Sequence, residues 1–359
     1  MQPDRPLVWW ILFNGFVLAM LALDLGLFHR KAHEIKLREA IGWSAVWIVA
    51  ALLFNLGILL GWFGGYPVAE RALRAKEFLA GYLVEKSLSV DNVFVFAVLL
   101  AYFSVPPRYQ HRVLFYGILA ALVFRAIFIF TGAWLIGRFE WVLYVFAAFL
   151  ITTGIKMIRT KGRQIEPAKN PVLRFSRRLL PVTDDYRGQA FFARVAGRML
   201  ATPLLLVLLL VETTDVIFAT DSIPAILIIT QDTFIVYTSN VFAILGLRAL
   251  YFTLAGFMTM FHYLTYGLAA VLIFIGGKMI YQAAAAGLTG AEHEIPIEVS
   301  LGIIALALAL SVVVSWLRPP AENPASLARD AAQDSSFEPA PDVAAAQPTF
   351  DAQTAAPRK

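Results

Sequence analysis

Two short acidic motifs lie inside apolar stretches of this sequence and have the composition of a cation site. One reads E-x5-D-N and ends at Asn92, and the other reads D-x5-D-S and ends at Ser222. Each motif places a carboxylate beside a neutral oxygen, and such oxygens are the ligands that hard cations such as Mn²⁺, Mg²⁺ and Ca²⁺ prefer. The candidate metal ligands, with two further acids in apolar stretches, are Asp24, Glu85, Asp91, Asn92, Glu212, Asp215, Asp221 and Ser222.

The geometry of a helix groups some of these acids and separates others. Glu212 and Asp215 differ by about 60° around a helix and can act together. Glu85 and Asp91 differ by about 120°, so they share a face only if their helix is broken, for example near residues 87–89. Pro224 is predicted to interrupt the helix that carries Asp221 and to free carbonyl oxygens there. For Asp24 the alternative role is that of a carboxylate at a helix end.

Basic residues accompany the acids in the same apolar stretches. An ionised group at the centre of a bilayer costs about 2.5–3.5 kcal/mol on insertion scales, so each charge needs a partner or a function. The bases can balance the acids when no cation is bound, or they can form static salt bridges between helices. These charge-balancing candidates are Lys86, Arg125, Lys156, Arg248 and Lys278.

Other chemistries are not favoured by the residue types. The chain has no cysteine, which excludes disulfides and thiolate metal sites. The histidines form no spaced metal motif, and no Ser/His pair or hydrolase motif indicates an enzyme. The net charge of +5 reflects basic loops and does not indicate nucleic-acid binding. No resident cofactor is predicted.

The elements that must position these residues are membrane helices. Of the 359 residues, 59% are hydrophobic and 15% are charged, and the apolar residues fall in runs long enough to cross a bilayer. We predict an all-α membrane protein of about nine transmembrane helices. The predicted spans are 6–28, 39–62, 75–104, 109–137, 139–158, 201–230, 232–260, 263–286 and 297–317.

Two segments lie outside the helices of the predicted transmembrane domain (1–317). Residues 159–200 form a loop with many basic residues, and 318–359 form an Ala- and Pro-rich tail that is predicted to be disordered. The loops after the first, third and fifth predicted helices are basic, so the positive-inside rule predicts that they lie in the cytoplasm. We therefore expect a multi-pass protein of a bacterial inner membrane with its N-terminus outside and its C-terminus in the cytoplasm.

The predicted helices three to five resemble helices six to eight. Three features match in the same order in both units. The ends of the two acidic motifs correspond, Arg125 corresponds to Arg248, and the segment Gly154–Ile158 corresponds to Gly276–Ile280. The matched residues differ in number by 130, 123 and 122. Because each unit (75–158 and 201–286) has three helices, the second unit enters from the opposite side. An inverted three-plus-three repeat of this kind is typical of secondary transporters, whose sites lie where the units meet.

The motifs also resemble a known family. Four segments are similar to signatures of the TerC/Alx family, which lies within the LysE-like exporter group. They are Val84–Phe94, Val211–Ala225, Asn240–Arg248 and the stretch from Asp24 to Lys31. The resemblance covers about residues 8–317. It implies export of manganese(II), with the ion facing Asp91, Asn92, Asp215 and Asp221.

The leading hypothesis is a secondary transporter that exports a divalent metal ion, manganese(II) before others, through a mid-membrane acidic site, with proton exchange as one driving force. The alternative is a membrane scaffold that assists the insertion or metal loading of other proteins. An intramembrane enzyme is the least favoured class. The expected partners are the ion and the lipid bilayer, and a homo-oligomer is compatible with the sequence.

Overall fold

A computed structural model of the chain describes residues 6–26, 37–139, 141–160, 175, 181–183, 185–195, 198–254, 263–289 and 295–317. Residues 1–318 group into one compact unit. The predicted C-terminal tail and most of the predicted basic loop lie outside the described residues. The division of the chain into a transmembrane domain and a tail stays a prediction.

The described part of the chain is mostly helical, and the helices lie close to their predicted positions. The helices are α1 (Leu7–Gly26), α2 (Leu37–Leu60), α3 (Val68–Tyr102), α4 (Pro107–Arg138), α5 (Val142–Thr160), α6 (Pro203–Ile229), α7 (Thr233–Leu245), α8 (Leu247–Leu254), α9 (Leu264–Thr289) and α10 (Ile297–Leu317). Two strands, β1 (Phe192–Val195) and β2 (Arg198–Ala201), pair as an antiparallel hairpin before α6. This hairpin was not predicted.

Seven apolar helical stretches among the described residues are long enough to cross a membrane. They are α2, α4, α5, α6, the combined stretch of α7 and α8, α9 and α10. The other two predicted spans are α1, whose residues with described side chains form the shorter apolar stretch Leu7–Ala22, and α3, which carries several charged residues. Nine transmembrane helices therefore remain a prediction that includes these two.

Both helices that carry the acidic motifs are continuous. α6 continues as an α-helix through Pro224, and α3 continues through residues 87–89. The predicted interruption at Pro224 is therefore wrong. The break lies instead at Gly246, between α7 and α8, where a side chain would meet the Nζ atom of Lys86 at 2.5 Å.

α3 and α6 pack against each other in opposite directions. The residues of α3 before Glu85 contact the residues of α6 that follow Asp215. Thr230 donates a hydrogen bond to Glu77 at 2.8 Å, and a Cβ atom on Gly81 would lie 3.2 Å from Ile226. Glu85 is the central residue of α3, and Asp215 is close to the centre of α6. Glu85 and Asp215, the first acids of the two motifs, therefore meet at mid-length.

α5 and α9 also pack closely, at glycines that face each other's helix. A Cβ atom on Gly154 of α5 would lie 2.8 Å from the carbonyl oxygen of Ala269 and 2.7 Å from the side chain of Ile273. A Cβ atom on Gly276 of α9 would lie 2.7 Å from the carbonyl oxygen of Ala147 and 2.8 Å from Ile151. Small residues permit such close helix packing in a membrane, where apolar burial contributes little.

An aromatic cluster joins α1, α2 and α3 to α7. Phe13, Phe54, Phe78 and Phe242 are all buried, with ring centroids 5.0–6.0 Å apart for the contacting pairs Phe13–Phe54, Phe54–Phe242, Phe54–Phe78 and Phe78–Phe242. The large apolar side chains of α10 are mostly exposed, for example Leu306 and Trp316. An apolar surface of this kind suits contact with lipid tails.

Candidate ion-binding site

The centre of the site is Arg125, which binds acids from both α3 and α6. Its Nη1 donates to Glu85, its Nη2 donates to Asp215 Oδ1 at 3.0 Å, and its Nε donates to Asp215 Oδ2 at 3.3 Å. The contact with Asp215 is therefore a bidentate guanidinium–carboxylate pair. Asn240 of α7 completes the cluster, because it accepts from Arg125 at 3.0 Å and donates to Glu85 at 3.3 Å.

All four side chains of this central cluster are buried, and the side chain of Arg125 is 2% exposed. Two carboxylates face one guanidinium, so the cluster carries a net charge of −1 when all three are ionised. Desolvating charges costs several kcal/mol per ion, and only good hydrogen-bond geometry offsets that cost. The cluster is thus a buried junction of α3, α4, α6 and α7 in which the acids outnumber the bases.

Asp91 and Asp221 lie away from this junction, on opposite sides of it. Each is six residues beyond the central acid of its helix, which is about 9 Å along the axis. Because α3 and α6 are antiparallel, the two displacements point in opposite directions. The two carboxylates therefore form separate positions in this conformation.

Each outlying carboxylate accepts a hydrogen bond from a threonine on a helix of the other predicted repeat. Thr265 of α9 donates to Asp91 at 3.4 Å, and Thr153 of α5 donates to Asp221 at 3.2 Å. Lys156 is also close enough to Asp221 for their charges to interact. The threonines were not identified from the sequence, because nothing local distinguishes them from other polar residues in helices.

The neutral motif residues beside these carboxylates have buried oxygens without hydrogen-bond partners in the described part of the chain. They are Asn92 Oδ1 and Ser222 Oγ, at matched positions of the two motifs. Ser89 Oγ, Tyr82 Oη and both carboxylate oxygens of Glu212 share this property. A buried polar atom without a partner costs about 1–3 kcal/mol, so such atoms in a membrane helix indicate a ligand, an ion or water.

A small cavity borders the central cluster between α3, α4, α6 and α8. Its charged lining residues are Asp215 and Arg248, and the remaining lining includes Gly117. It offers about 10 Å³ to the centre of a water molecule, close to the ~10–15 Å³ that one water requires. Glu212 lies at its edge, since a Cβ atom on Gly117 would be 3.5 Å from Glu212 Oε1.

The basic candidates differ in their partners. Lys86 donates to the carbonyl oxygen of Ala243 at 3.5 Å, near the C-terminal end of α7, where a positive charge is favoured. Arg248 contacts His111 at 2.9 Å, and Lys278 donates to Ser300 at 2.8 Å. Of the predicted charge-balancing residues, Arg125 binds acids directly, and Lys156 interacts with Asp221.

The predicted metal ligands do not converge on one point in the described structure. In the part of the chain that is described, no group of three or more acids or histidines has the arrangement of a metal site. Asp24 lies in the last turns of α1, and its side chain is outside the described part. The assignment of the acidic residues as metal ligands therefore stays a prediction.

Comparison with known families identifies the family of this chain. Residues 71–323 match the model of the integral membrane protein TerC family. The chain belongs to the TerC family. The match covers both acidic motifs, the central arginine and the helices from α3 to α10 apart from the first three residues of α3, and it confirms the family resemblance of the sequence.

The relatives are similar along most of their length. An uncharacterized membrane protein of Myxococcus xanthus is 50% identical over 310 residues, which are 86% of this chain and 92% of that protein. Proteins named membrane-bound redox modulator Alx are 48% identical in Salmonella typhi and in Escherichia coli K12, over 87% of this chain and 95% of each relative. No solved structure matches this chain.

Proposed function

We propose that this TerC-family protein is a secondary transporter that exports a divalent metal ion, and that the ion is manganese(II). The observation that carries the proposal is the matched pair of outlying positions. Each combines a carboxylate and a threonine hydroxyl from a helix of the other repeat, and the next residue in the sequence carries a buried neutral oxygen that has no hydrogen-bond partner among the described residues. Oxygen ligands of these types suit a hard divalent cation.

The α5–α9 interface supports an inverted repeat. Adding 122 to Gly154 gives Gly276, and adding 122 to Ala147 and Ile151 gives Ala269 and Ile273. The contact of each glycine with the other helix is therefore repeated with the roles of the helices exchanged. Reciprocal contacts of this kind are those that a two-fold axis generates. Antiparallel α3 and α6 agree with an axis in the membrane plane.

In this scheme the central cluster separates the two outlying positions. Asp91 serves as the ion position on one side of the membrane and Asp221 serves as the position on the other side. Arg125 neutralises part of the charge of the central acids while no ion is near, because its guanidinium binds both Glu85 and Asp215. An ion passing the centre displaces this cation from at least one carboxylate.

The exchange of Arg125 for Arg248 offers a route for that displacement. The two arginines occupy matched positions in the repeats, and Arg248 already lines the cavity beside Asp215. If the repeats exchange conformations, Arg248 takes over the acids and Arg125 releases them. Alternating access then follows from two related packings of the same helices.

The topology and the class of activity complete the proposal. We place the basic loops in the cytoplasm of a bacterial cell, which leaves the N-terminus outside and the C-terminus inside. We assign transport and not catalysis. The relatives' name refers to redox modulation, but this chain has no cysteine, so its own side chains offer no thiol–disulfide chemistry.

Metal accumulation in cells tests the proposal. A manganese-sensitive bacterial strain that lacks its own exporters should retain less manganese when it produces this protein. Asp91→Asn and Asp221→Asn should each remove the effect, because each takes the charge from one ion position. Glu298→Gln is the matched control, since Glu298 is an acid at the exposed start of α10 that binds Lys76. Unchanged manganese content with the original protein would reject manganese export.

A further inference from the structure

The β1–β2 hairpin lies at the edge of the membrane because β2 leads directly into α6. β2 ends at Ala201, and α6 begins at Pro203. The backbone N–H of Thr202 donates to the carbonyl oxygen of Phe191 at 2.9 Å, and its hydroxyl donates to that of Ala190 at 2.7 Å. These bonds fix the base of the hairpin to the first turn of a membrane helix.

The base of the hairpin is also packed against the beginning of α4. The ring of Phe191 lies 5.3 Å from the ring of Tyr116, and the guanidinium of Arg112 lies 5.3 Å from the centre of the Phe191 ring. A two-stranded hairpin is marginally stable by itself, so this packing holds it in place. Each four-residue strand is about 13 Å long, and the headgroup layer is about 5–8 Å thick, so the half of the hairpin next to α6 lies within reach of headgroups.

One face of the hairpin combines exposed apolar side chains with a positive charge. Phe192 and Arg194 are two residues apart on β1, so their side chains lie on the same face of the hairpin. Met199 lies opposite Arg194 on β2 and therefore belongs to that face as well. Phe192 is 52% exposed and Met199 is 61% exposed, and Arg194 is exposed as well. Arg198 is also exposed, but it lies opposite Val195 and belongs to the other face.

We propose that the face formed by Phe192, Arg194 and Met199 binds anionic phospholipid headgroups at the membrane boundary. The charge is complementary to an anionic headgroup, and the aromatic ring and the thioether can enter the layer beneath it. Mixed apolar and basic surfaces bind at the interface by both contributions. The closeness of α6 places Arg194 within about one Debye length of the headgroups, where its charge is felt.

A fluorescent label on the hairpin tests this binding in the intact protein. Because the chain has no cysteine, Met199→Cys gives a single site for an environment-sensitive dye. The labelled protein is placed in nanodiscs of phosphatidylcholine with increasing fractions of phosphatidylglycerol. We expect the dye to become shielded from an aqueous quencher as the anionic fraction rises. Arg194→Gln should raise the anionic fraction required by about fivefold.

The control is Arg198→Gln, which removes the same charge from the opposite face of the same hairpin. It should leave the response nearly unchanged, and Arg194→Lys should retain it. Three results would overturn the proposal. They are equal shielding in pure phosphatidylcholine, an equal effect of the two glutamine variants, or a dye that stays open to water at every lipid composition. The last result would indicate that the face is free for a protein partner. None of these measurements depends on ion transport.

Discussion

Removal of the charge of Arg125 should strongly destabilise the protein. In Arg125→Met, Glu85 and Asp215 lose their shared cation while they stay buried beside each other. Breaking a buried ion pair by removing one partner costs about 3–5 kcal/mol. The loss of the hydrogen bond to Asn240 lies within that range. We therefore expect the free energy of unfolding to fall by about 3–5 kcal/mol.

Equilibrium unfolding of the protein in mixed detergent micelles, with increasing denaturing detergent, measures this loss. Arg138→Met is the control, because Arg138 lies at the exposed end of the same helix and should contribute less than about 0.5 kcal/mol. If Arg125→Met does not fold, the triple variant with Glu85→Gln and Asp215→Asn should recover folded protein, since it removes the unpaired charges. A stability of Arg125→Met within about 0.5 kcal/mol of the original would refute the role of the cluster.

Three further predictions concern other contacts. Gly154→Ala and Gly276→Ala should each lower the unfolding free energy by about 1–3 kcal/mol, because the added methyl group overpacks the α5–α9 interface. Gly277→Ala is the control, since the space at its Cβ is open and its unfolding free energy should not fall. Equal effects of all three in the unfolding assay would contradict the packing. Asp232→Ala should cost about 2 kcal/mol or more, because Asp232 caps α7 and accepts from Tyr66, and Asp232→Asn should retain the cap and part of the stability, as judged by thermal unfolding. Thr153→Val and Thr265→Val should each weaken manganese binding several-fold in isothermal titration, since each removes a hydroxyl beside a carboxylate, and Thr152→Val, which changes an exposed neighbour, should not.

The helix bounds follow from the sequence to within a few residues in most cases. Long apolar runs in lipid satisfy their backbone hydrogen bonds only as helices, so their number and order are strongly constrained. The start of α3 is the largest difference, at Val68 where residue 75 was predicted. Its first turns carry charged residues, so they fell outside the apolar run that defined the predicted span, but Ala, Leu, Glu and Arg are good helix formers. Arg74 and Glu77 of this segment also form a buried network with Thr230 and Asp232 of the α6–α7 connection.

The contacts of the site were less predictable than its residues. The sequence identified Glu85, Arg125 and Asp215 as charges inside helices, but only packing determines that one arginine binds both acids. The threonines beside Asp91 and Asp221 come from helices that are distant in sequence. The hairpin before α6 was missed because its strands are four residues long, and the arginines around it indicated a solvated loop.

The most direct test of the account is manganese flux through the purified protein in sealed lipid vesicles. Manganese(II) entering vesicles that contain a fluorescent indicator should give a signal that depends on the protein. Asp91→Asn and Asp221→Asn should each reduce the initial rate to that of empty vesicles, and Glu298→Gln should keep it. No flux with the original protein, or flux that survives both aspartate substitutions, would contradict transport through the two carboxylate positions.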